Sequence, residues 1–197
     1  MVRTSRFMKQ LCAFFGTNSR LFLFLALTLS GVVIGCLFTP HIPAKYTPMI
    51  PLLFPPDTGF TRISVALLAF LRQSLVTLAA LGILMLSGMS LCGLPAALAV
   101  PVLYGTVVGI FEASVLSQQG IEVLALSLPG TLLSVWAMLI ACAEALRLTL
   151  RLIAQVMPGS SKSGLWRDFR LFFWRFLLCF ALALLASAIT TTLAVVF

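Results

Sequence analysis

Apolar residues gather into five long stretches of this chain, and the polar positions fall in clusters between them. The stretches cover residues 21–38, 73–91, 95–115, 123–143 and 176–196. Each is long enough, or nearly so, to cross a hydrocarbon core of about 30 Å as an α-helix. The second and third are joined by a corner without charge, because no ionised side chain stands between Arg72 and Glu112. One helix through that interval would be about 58 Å long, nearly twice what a bilayer needs. Cys92-Gly93-Leu94-Pro95 breaks it: proline cannot continue the hydrogen-bond ladder but suits the first turn of a new helix. The pattern predicts an all-α, polytopic membrane fold of about five transmembrane helices with a tight central hairpin.

The connecting segments differ in kind. Residues 1–20 form a basic arm with Arg3, Arg6, Lys9 and Arg20 and no acid. Residues 39–59 hold six of the ten prolines, which excludes regular helix; they read as an ordered outer loop and a surface for partners. Ile63 to Leu71 is an apolar prelude to the second span, Ser117 to Gly120 a turn, and residues 144–175 a basic cytoplasmic loop. Pro129-Gly130 predicts a kink or break early in the fourth span. From residue 21 onward the chain reads as one transmembrane domain.

Charge sets the orientation. With the amino terminus in the cytoplasm, ten basic residues lie inside and three (Lys45, Arg62, Arg72) outside, a firm positive-inside bias. The carboxyl terminus then lies outside. Charge alone does not separate a full crossing of the 73–115 hairpin from a re-entrant one; length favours crossing.

Composition agrees: 61% of residues are hydrophobic and 9% charged. The net charge of +8 is read as topogenic, and as attraction for anionic lipid, not as a nucleic-acid signal. Arg147, Arg151, Arg167 and Arg170 are the lipid-facing basic residues, with Glu144 in a helix-end charge cluster beside the first two. The five cysteines include no Cys-x-x-Cys pair, so neither a disulfide framework nor a zinc site is expected. Val33-Ile34-Gly35-Cys36 has the look of a lipoprotein cleavage box, but an apolar chain follows it and a retained first helix fits better.

Small residues mark where helices meet. Gly31 and Gly35 lie four apart, as do Gly105 and Gly109, and Ala137, Ala141 and Ala145 repeat at the same spacing; such stripes let helix backbones approach closely. Glu112 is the candidate intramembrane polar site, although a place near the interface is the simpler reading. The only histidine, His41, lacks companions, and no phosphate-binding or zinc-protease motif occurs. Neither catalysis nor a cofactor or metal is expected. The alternative is a small transporter or permease-type subunit, since transport sites are built from interrupted apolar helices.

The run from Ser74 to Leu116, with Gly88, Gly93, Pro95, Gly105 and Gly109 at its turn and along its second helix, resembles the stage II sporulation protein M family. The later stretch LSLPGTLLSVWAMLIACAEALRL is similar to that family's following leucine–proline helix. Tyr104 stands where many relatives carry lysine, and Gly130 where a histidine often follows the proline. The resemblance implies a bacterial cell-membrane protein of endospore formers without catalysis of its own. It would anchor and localise stage II sporulation proteins D and P, which remodel septal peptidoglycan during engulfment. The sequence leaves a homo-oligomer open.

Overall fold

A computed structural model describes residues 2–41, 63–90, 93–156 and 165–196. Five α-helices account for nearly all of them: α1 (Val2–Phe38), α2 (Ile63–Gly88), α3 (Gly93–Gln119), α4 (Ile121–Val156) and α5 (Leu165–Val196). A 3₁₀ turn, Thr39–His41, follows α1, and no strand occurs among the described residues. Most of the proline-rich loop, Cys92, and the polar segment 158–164 lie outside the described residues.

Four helices contain segments long and apolar enough to cross a membrane: Ser19–Phe38, Gly93–Ser117, Ser127–Gln155 and Trp166–Thr192. The second helix contributes a shorter apolar segment, Ser74–Gly88, within a helix of 26 residues. That helix is about 39 Å long in all, and α3, of 27 residues, is about as long. The two legs of the hairpin are thus similar in overall length, while the apolar part of α2 is the shorter.

The helices are longer than the apolar pattern alone indicates. The basic segment 144–175 is mostly helical, because α4 runs on to Val156 and α5 begins at Leu165. Pro129 does not break α4, and Pro101 does not break α3. Neighbouring helices and Ser/Thr hydroxyls can make good the backbone groups a proline frees inside a bundle. Gly130 serves packing instead. A Cβ there would strike Thr190 Oγ1 and lie 2.9 Å from the Ala186 carbonyl oxygen, so its absence lets α5 lie close.

One core joins all five helices: Phe24 of α1, Leu81 and Leu84 of α2, Ala97 and Tyr104 of α3, Met138 and Cys142 of α4, Phe172 and Phe176 of α5. Helix α4 touches all four others, so it, and not the α2–α3 hairpin, is the central member. The hairpin's outer face is exposed at Leu75, Ile83, Leu86 and Leu103. Ala137, Ala141 and Ala145 are fully buried, as their repeat predicted. Thr149 extends the stripe by one more turn and is also fully buried.

Candidate functional site

The two glycine pairs face each other. A Cβ at Gly31 would fall on the Val102 carbonyl oxygen, and one at Gly35 on that of Thr106. From the other side, Gly105 meets the Thr28 carbonyl and Gly109 that of Val32. Partners advance together along both helices, so α1 and α3 run parallel with their backbones in direct contact. Cys36 Sγ donates to the Gly109 carbonyl oxygen across the seam, at 3.5 Å. Both stripes are consumed within the chain.

At the hairpin corner, Gly88 packs on Ala145 and Phe172, with a would-be Cβ 3.1–3.2 Å from both. Gly93 lies against Thr149 Oγ1, where no side chain fits. Thr149 donates within reach of two carbonyls, Ala145 at 2.9 Å and Gly88 at 3.3 Å. The corner is a close approach to α4; Pro95 opens α3 on an exposed face. At the opposite end, Gly120 joins α3 to α4 with φ +88°, a backbone state glycine adopts without steric cost.

A second group of polar side chains gathers between α2, α3, α4 and α5. Tyr104 is 5% exposed; its hydroxyl donates to Ser134 Oγ at 2.9 Å and lies 3.3 Å from Thr77 Oγ1. Together with Thr131, Ser187 and Thr190 these line a half-open cleft of about 40 Å³. Beside it, the Glu112 carboxylate accepts from Thr131 Oγ1 at 2.6 Å and Ser127 Oγ at 2.9 Å. Glu112 lies five residues inside the end of the apolar segment Gly93–Ser117, about 8 Å along the helix. It is half-buried and held by two hydroxyls of α4.

At the basic end, Glu144 pairs with Arg175 of α5 and lies 3.8 Å from Arg147. Arg151 pairs with Asp168 of α5, not with Glu144. Two cross-helix ion pairs thus clamp α4 to α5, while Arg167 and Arg170 remain exposed.

The family model described as Stage II sporulation protein M matches residues 22–194. The chain belongs to that family. Comparisons with curated proteins and with solved structures give no match.

Within this member of the stage II sporulation protein M family, the small residues noted in the sequence are the seams of the bundle. Gly31, Gly35, Gly105 and Gly109 form one seam; Gly88 and Gly93 form another. The polar group around Tyr104 escaped sequence reasoning, because Thr77, Ser127, Thr131, Ser134 and Thr190 are dispersed over more than a hundred positions. A signal existed in their spacing. Ser127, Thr131 and Ser134 lie four and three apart, on one face of α4. Tyr104 and Gly130 line the same cleft.

Proposed function

We propose that this protein is a non-catalytic integral scaffold of the bacterial cell membrane, one that anchors and localises peptidoglycan-remodelling enzymes during endospore engulfment. Its partners in this reading are the stage II sporulation proteins D and P, together with membrane lipid at the exposed Arg167 and Arg170. The observation that carries it is the family match across 22–194, nearly the whole helical bundle. The architecture supports it physically. Glycine seams hold the helices together as one body, and a rigid body in the plane of the membrane suits holding other proteins in place. Deleting the gene should delay or block engulfment, and the tagged protein should co-purify with wall hydrolases from sporulating membranes. Normal engulfment in the deletion strain would overturn the proposal.

A second reading, a small transport subunit, is favoured by the polar cleft beside Glu112. It requires protein-dependent solute flux in reconstituted vesicles, abolished by Glu112→Gln. Vesicles that show no such flux remove it.

A further inference from the structure

Among the described residues, Glu112 is short of hydrogen-bond donors. Ser127 Oγ lies 2.9 Å from Glu112 Oε2 and 2.9 Å from the Leu124 carbonyl oxygen. Thr131 Oγ1 lies 2.6 Å from Glu112 Oε1 and 3.0 Å from the Ser127 carbonyl oxygen. Each hydroxyl owns one proton, so two protons face four acceptor oxygens. A carboxylate accepts about four hydrogen bonds when ionised, and the described residues offer at most two. The ion pairs formed among the described residues all lie at the other end of the bundle, around Glu144 and Asp168. The cleft alongside adds more hydroxyls, Thr77, Tyr104, Ser134 and Thr190 among them, and its mouth is open. Among the described residues, no cation reaches Glu112.

We propose that Glu112 and the hydroxyls beside it receive a lysine or arginine side chain presented by a membrane-spanning helix of a partner protein. The inference rests on the scaffold reading and assigns that scaffold a docking point. Charge complementarity selects the occupant. An ammonium brings three donors and a guanidinium five, and pairing them with Glu112 inside the apolar layer offsets the cost each charge carries there alone. The glycine stripes, the usual means of helix association, are already used between α1 and α3. A partner helix therefore has a polar anchor available apart from those two glycine pairs.

The test uses the full chain in phosphatidylcholine vesicles, labelled for energy transfer to synthetic leucine–alanine transmembrane peptides. One peptide carries a single lysine about two helical turns below its outer end; the controls carry glutamine or leucine there. The wild type should bind the lysine peptide about tenfold more tightly than either control, the range expected for one strong polar contact between membrane helices. Glu112→Gln should erase the difference. Because that variant can lose stability, Glu112→Lys is tested in parallel with a peptide bearing glutamate, which should restore selective binding. Equal binding of all peptides by the wild type overturns the proposal, as does glutamine binding as tightly as lysine. Arg72, one helical turn before Val76 of the cleft lining, supplies a further control. Selective binding that appears only after Arg72→Gln means that the chain fills the site itself, and also overturns the proposal. Absent selectivity with wall enzymes still co-purifying sinks this inference and leaves the scaffold reading standing. Selectivity in a protein that recruits no wall enzyme does the reverse.

Discussion

A Cβ added at Gly105 would fall on the Thr28 carbonyl oxygen, whereas one added at Gly82 meets nothing within 4 Å. Alanine is a better helix former than glycine by about 1 kcal/mol, so the environment alone decides the sign of the change. Gly82→Ala should leave stability unchanged or raise it by up to about 1 kcal/mol. Gly105→Ala should lower it by about 1–3 kcal/mol, because neither backbone can yield without parting α1 from α3. Unfolding by steric trapping or by detergent titration in bicelles measures both; equal effects would show that the seam is looser than described. Tyr104→Phe removes one hydroxyl that spans α2, α3 and α4. Its cost should be about 1–2 kcal/mol in the same assay, since the Thr77 and Ser134 hydroxyls lose a buried partner. The glycine spacing was visible in the sequence because a four-residue repeat is a property of one helix. The Tyr104 group was not, because its members come from different helices and only packing brings them together.

Among the elements, α4 and α5 carry the charge arithmetic of the molecule. The Arg175–Glu144 and Arg151–Asp168 pairs tie the basic ends of these helices, and the arginine side chains are 43% exposed. Partly exposed pairs contribute little, about 0–1 kcal/mol each, and less at high salt. Arg175→Ala should therefore cost under about 1 kcal/mol in low salt, shrinking as ionic strength rises. Exchanging the two charges, Glu144→Arg with Arg175→Glu, should recover most of the loss; a larger or salt-independent effect would point to packing of the arginine stem. Element identity was readable from apolar length, but element ends were not. Helices α1, α4 and α5 continue through basic residues, because those residues are good helix formers and can keep their charges in water. Pro129 likewise reads as a break when its helix is taken alone, and becomes tolerable once α5 lies against Gly130.

For the whole molecule, the arrangement of ends makes the topology testable. The hairpin corner at Gly88 and Gly93 packs on Ala145 and Thr149, close to the charged Glu144–Arg151 end, and the Gly120 turn lies at the other end. In a background lacking the five native cysteines, Ser90→Cys and Arg170→Cys should react with an impermeant maleimide from the same side. Glu122→Cys should react from the opposite side, and any other outcome rejects a hairpin that crosses fully. Taken by itself, the sequence determined the class, the number of apolar helices, the place of the corner and the clustering of basic residues at their ends. Those properties follow from free energies of transfer and from charge, which depend on each residue and its neighbours along the chain. Only the tertiary structure decided that the two glycine pairs face one another, that α4 is the central helix, and that Glu112 meets Ser127 and Thr131. Such contacts join residues far apart in the chain, and nothing in a one-dimensional pattern records which helix lies against which.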